Sequence, residues 1–122
     1  MFYCIKQKFY CTQQNFIAQN KNFTAQNVYL NMLENTGGYI FPPVSVEVWG
    51  GTEKNNLKLL GKIIPQMPKK YEDAKMIQEK ISFAPAEVKY LKIVAKPLQK
   101  LPKWHDGKGQ RAWIFLSEIV IN

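Results

Sequence analysis

The sequence predicts an all-β domain, a sandwich or barrel of about six strands. Three observations carry this expectation. Strand-like segments recur roughly every ten to twelve residues, each closed by Gly or Pro. Within them apolar and polar residues alternate with the period of two that a half-buried strand requires. Helical periodicity is confined to one ambiguous stretch, residues 71–83. The chain has 122 residues, of which 46% are hydrophobic and 13% aromatic, so it can bury a core and amounts to one domain or a piece of one.

Residues 1–27 read differently from the rest. They hold Lys6, Lys8 and Lys21, no acid, and a heavy load of Gln and Asn. Phe2, Phe9, Phe16 and Phe23 recur at constant spacing, yet the intervening residues complete no amphipathic helical face. Such text predicts a poorly ordered segment, or at most one makeshift strand. The β-domain proper is therefore expected over residues 28–122.

Val28, Leu30 and Met32 alternate with Tyr29 and Asn31, predicting a strand over 28–33. Asn35-Thr36-Gly37-Gly38 ends it in a turn. Pro42-Pro43 introduces a strand over 44–49, with Val44, Val46 and Val48 on one face and Ser45 and Glu47 on the other. Gly50-Gly51 stops that strand, and residues 53–56 read as a solvated hairpin loop. Residues 57–63 form the next strand, closed by Pro65 and Pro68. In 71–83, Ala74, Ile77 and Ile81 suit a helix, while 77–83 equally suits a strand. Val88, Tyr90 or Leu91, Ile93 and Val94 predict a strand over 88–95, rich in β-branched residues. Pro97 and Pro102 bracket a loop reaching Gly109, and the last strand is expected over 113–121.

The composition excludes several function classes. No window approaches the length of apolar sequence that a membrane-spanning helix needs, so membrane insertion is not expected. Cys4 and Cys11 lack CxxC spacing, and His105 is the only histidine, so neither a structural zinc site nor a cluster of imidazoles can be assembled. No glycine-rich phosphate loop precedes a helix, and no nucleophile–base pair is evident. The chain is expected not to be an enzyme and to need no cofactor. Seventeen basic against nine acidic residues leave a formal net charge of +8, which keeps a nucleic-acid-binding module as an alternative. The lysines are nevertheless scattered, and Arg111 is the only arginine, whereas base and phosphate recognition favours arginine.

Carbohydrate binding suits the aromatic placement better. Tyr39 and Phe41 fall in one glycine–proline loop, and Trp104 and His105 in another that also holds Lys108. Aromatic planes stack on the apolar face of a sugar, and His and Lys groups bond its hydroxyls. These five residues are the candidate ligand-binding set. Trp49 and Trp113, lying in strand text, are expected to fill the core.

The stretches GGYIFPPVSVEVWGG (Gly37–Gly51) and YLKIVAKPLQKLPKWHDGKGQRAWIFLSEIVIN (Tyr90–Asn122) resemble the C-terminal accessory domain of bacterial family 20 glycoside hydrolases, the β-N-acetylhexosaminidases. That domain is similar to the discoidin or coagulation-factor type C superfamily, and the resemblance runs from Val28 to the end. It implies a galactose-binding-like jelly-roll sandwich, incomplete at its N-terminus. It further implies a non-catalytic module that holds glycan or packs on a catalytic hydrolase domain, with the catalytic barrel absent. The parent family is periplasmic or extracellular; no export signal is read in this chain. An inactive C-terminal fragment of the hydrolase is the alternative. Where such domains bind calcium, Glu118 matches a late ligand position; the early-loop ligands have no counterpart here, and Ser117 stands where the family commonly has an acid.

Overall fold

The computed structural model describes the backbone of residues 2–4, 9–11 and 15–122, and side chains from Asn22 onward. It is all-β. Among the described residues seven strands run in chain order: β1 (Phe2–Cys4), β2 (Phe9–Cys11), β3 (Asn15–Glu34), β4 (Ser45–Gly51), β5 (Lys58–Ile63), β6 (Lys75–Lys96) and β7 (Ile114–Ile121). One 3-10 turn, Thr36–Gly38, interrupts them. The hydrogen-bonded order is β1-β7-β3-β6-β4-β5, with β2 attached to β3. Among the described residues no helix is long and apolar enough to cross a membrane.

The architecture rests on the long antiparallel pair β3 and β6. Near Asn27–Glu34, β3 pairs with Lys75–Ser82 of β6 on one side and with β7 on the other. Its N-terminal half pairs with Tyr90–Val94, and the same part of β6 carries β4 and then β5. Between these halves the register slips twice, at Gln19/Phe23 and at Ala25/Asn27. Extra residues on first one strand and then the other bend the ribbon, as bulges do. Pro85 lies in the second irregularity, where a missing ladder N–H is tolerated.

The bend folds the continuous sheet onto itself. Val28, Leu30, Met32, Ile81, Ile114, Leu116 and Ile119 of one half pack against Val46, Val48, Leu91, Ile93 and Ala95 of the other in a single buried cluster. The halves approach closely at Gly61, where a Cβ would lie 2.8 Å from Ile81 Cγ2. The result is a sandwich made from one sheet.

The strands expected over 28–33, 44–49 and 88–95 form, but in the second only Val46 and Val48 face the core: Val44 precedes β4 and is 42% exposed, while Ser45, expected on the opposite face, is buried. The ambiguous segment 71–83 resolves to strand from Lys75 onward. Pairing with β3 decides this, since Ile77 and Ile81 take up register with Met32 and Val28. The boundary expected between residues 27 and 28 falls inside β3, and Ala25 is fully buried in the core. Backbone pairing also extends to β1, parallel to β7, and to β2. The remaining part of the segment expected to be poorly ordered, and the side chains of Cys4 and Cys11, lie outside the described residues.

Candidate functional site

Loops at one end of the sandwich build an aromatic pole. After β3, the Asn35 side chain accepts a hydrogen bond from the Gly38 N–H at 3.2 Å, and Tyr39 closes the turn in the left-handed region at φ 65°. Backbone bonds then tie this stretch to the start of β7: the Trp113 N–H donates to the Tyr39 carbonyl at 2.8 Å, and the Phe41 N–H to the Trp113 carbonyl at 3.1 Å. The 101–110 loop closes on itself through the Leu101 N–H and the Gln110 carbonyl, 2.8 Å apart. Gly107 of that loop lies against the Tyr39 ring, too close for any side chain.

His105 holds the two loops together. It is 2% exposed, and its Nδ1 lies 2.9 Å from the Gly107 N–H, which can only donate. Its Nε2 lies 2.6 Å from the Thr36 carbonyl, which can only accept. The neutral tautomer with the proton on Nε2 satisfies both. Tyr39 stands edge-on to the imidazole at 4.8 Å, and Phe41, Tyr71 and Trp104 surround it at 5.7, 5.1 and 5.7 Å between centroids. Tyr71 also meets Trp104 edge-on at 5.1 Å, and its hydroxyl accepts from the Asp106 N–H at 2.7 Å.

Of the five sequence candidates, the pole gathers Tyr39, Phe41, Trp104 and His105 into one cluster and leaves Lys108 exposed beside it. Their roles divide by burial. Phe41, 1% exposed, packs with Leu101 and Ala112 in a small second core. His105 spends both ring nitrogens inside the protein. Neither offers a face to a ligand, whereas Tyr39 and Trp104 remain half-buried. Trp113, expected in the core, is 47% exposed. The strand's inward alternation begins at Ile114, which turns its neighbour outward. Tyr71, 44% exposed, joins the pole without having been singled out in sequence. Its position among lysines and prolines in an ambiguous segment concealed it. Glu118 pairs across strands with Asn31, whose amide donates to it at 3.3 Å. Among the described residues no group of three or more His, Cys, Asp or Glu could hold a metal ion.

A charged cluster adjoins the pole. Glu34 is 3% exposed, and its Oε2 has no hydrogen-bond partner among the described residues. Lys75 Nζ stands 3.5 Å from that oxygen while donating to Glu72 Oε2 at 2.9 Å. Burial pushes the Glu34 carboxyl above its ordinary pKa; Lys75 opposes this shift and Glu72 adds to it. The Lys75 hydrogen bond lowers the pKa of Glu72, and the same bond raises that of Lys75. Thr36 fixes Glu72 from below, its Oγ1 accepting from the Glu72 N–H at 3.0 Å and donating to the Glu72 carbonyl at 3.1 Å.

Fold and pole together define a β-sandwich module with a loop-built aromatic end. No family model matches the chain, and no curated protein matches it. Among solved structures it is similar to the cleaved K2 adhesin domain of Lys-gingipain, with a TM-score of 0.50 and 16% identity. The match covers 88% of this chain and 62% of that one. At this identity the likeness establishes a shared fold.

Proposed function

We propose that the chain is a non-catalytic carbohydrate-binding accessory module of the kind appended to β-N-acetylhexosaminidases, carried on an exported protein. One observation supports this reading most: Trp104 and Tyr71, both partly open to solvent, meet edge to face over a pole made rigid by buried His105. Preorganised aromatic planes of this sort suit the apolar faces of sugar rings. A fold shared with an adhesin domain agrees with binding rather than catalysis. The sequence resemblance to the family 20 accessory domain supplies the glycan and the hydrolase context.

Titration with N-acetylglucosamine and galactose, followed by tryptophan fluorescence, tests the reading. Dissociation constants of roughly millimolar order are expected. Trp104→Ala should abolish the spectral change and weaken binding. Silence in the wild type at tens of millimolar (above the expected dissociation constant) would overturn glycan binding and favour a module that packs on a catalytic domain.

A further inference from the structure

Beside the aromatic pole lies a cleft of about 460 Å³, within the range of roughly 300–1,000 Å³ typical of small-molecule sites. Its floor is the outer end of the sheet's inner face, where Glu34, Lys75, Ile77 and Glu79 line it. Val28, Leu30, Met32 and Glu34 alternate inward along β3, and Lys75, Ile77 and Glu79 of β6 stand opposite Glu34, Met32 and Leu30. The segment 66–72 forms the other wall, with Gln66 and Met67 lining the space.

Two properties of this cleft select a ligand class. First, its three carboxylates, Glu34, Glu72 and Glu79, are balanced by three ammonium groups, Lys69, Lys70 and Lys75. A site of zero formal charge, dense in both donors and acceptors, offers no net attraction to an ion of either sign. It suits a neutral molecule whose groups donate and accept together, as sugar hydroxyls do. Second, the Glu34 carboxylate is buried, and its Oε2 faces Lys75 Nζ at 3.5 Å as an ion pair while making no hydrogen bond among the described residues. A carboxylate oxygen can accept hydrogen bonds besides facing a counter-charge, so this oxygen keeps acceptor capacity for a donor from outside. Met67 adds an apolar patch and also packs against the Phe41 cluster, joining the cleft to the aromatic pole.

We propose that this cleft is the saccharide subsite of the module, in which Glu34 Oε2 accepts from a ring hydroxyl. Lys75 and Gln66 donate to neighbouring sugar oxygens, and Met67 supports the apolar face of the ring. The assignment rests on the glycan-binding reading and extends its site from the Trp104–Tyr71 pole into the cleft.

The test is a ¹⁵N-NMR titration of the full chain with N-acetylglucosamine and with galactose, on wild type, Glu34→Met and Gln66→Ala. Met matches Glu in length, but its thioether is only a weak acceptor and carries no charge. The expected result is saturable shifts at Glu34, Gln66, Glu72 and Ile77, and binding weakened roughly tenfold by Glu34→Met. Shifts confined to the amides of Tyr71 and Trp104, with an affinity unmoved by either substitution, would overturn the subsite and leave the module's glycan binding intact. Absence of any shift in the wild type would overturn both. Should Glu34→Met fail to fold, Gln66→Ala decides alone, since Gln66 is exposed in a loop: weaker binding supports the subsite, and unchanged affinity overturns it.

Discussion

His105 Nε2–H donates to the carbonyl of Thr36 at 2.6 Å, joining loops 69 residues apart in the chain. Thr36 in turn holds the Glu72 backbone through its hydroxyl. A single buried imidazole therefore aligns the 101–110 loop, the turn after β3 and the segment that walls the charged cleft.

His105→Phe keeps an aromatic ring of similar size but strands the buried Gly107 N–H and leaves the Thr36 carbonyl with the Tyr39 N–H alone, at 3.3 Å. A buried unpaired group costs about 1–3 kcal/mol, so a loss of about 1–3 kcal/mol is expected by urea unfolding. Faster amide exchange at Glu72 and Gly107 should accompany it. A variant as stable as wild type would show that the imidazole does not hold the pole.

Gly107→Ala brings a Cβ to 2.5 Å from the Tyr39 ring. Tyr39 is confined by its left-handed backbone and its contact with His105, so it cannot yield cheaply. Destabilisation of about 1–3 kcal/mol is expected, as in other overpacked sites. Gly109→Ala makes a useful contrast: its Cβ would meet nothing, so its cost comes from its φ of 84° alone.

Phe41 and Trp113 are hydrogen-bonded neighbours with opposite fates. Phe41→Ala empties a buried site and should cost about 3–5 kcal/mol. Trp113→Ala removes a half-exposed ring and should cost less than half as much. Chemical denaturation of the two variants, compared at equal m-value, checks the difference.

Glu34 gives stability a pH dependence of known sign. Its folded-state pKa is raised, so the native state holds the proton more tightly than the unfolded chain. Its contribution is favourable at acid pH and is lost as pH climbs through the folded-state value. Glu34→Gln, neutral throughout, should therefore gain stability relative to wild type between pH 4 and pH 7, read as the difference in Tm. Glu72 has a lowered pKa and works in the opposite sense: its contribution is present at neutral pH and fades on acidification. A Tm difference between Glu34→Gln and wild type that shrinks with rising pH would contradict the burial of an ionised Glu34.

The strands were legible because alternation is local. Val28–Met32, Val46–Val48 and Ile93–Ala95 declare their inward face with no knowledge of any partner, and the Gly and Pro residues between them mark the turns. Read one step further, the same alternation carries Glu34 to the inner face behind Met32, a signal that the sequence contains and that its charge disguised. Tertiary structure alone decided the rest. Residues 15–27 look like polar coil, yet they join β3 because β6 supplies the ladder they need. Residues 71–83 fit two periodicities until pairing with Asn27–Glu34 selects one. His105 and Phe41 sit in loop text that reads as surface, but loops 69 residues apart converge and enclose them. The period of a strand is written in its own residues, whereas burial in a loop depends on what long-range packing brings to cover it.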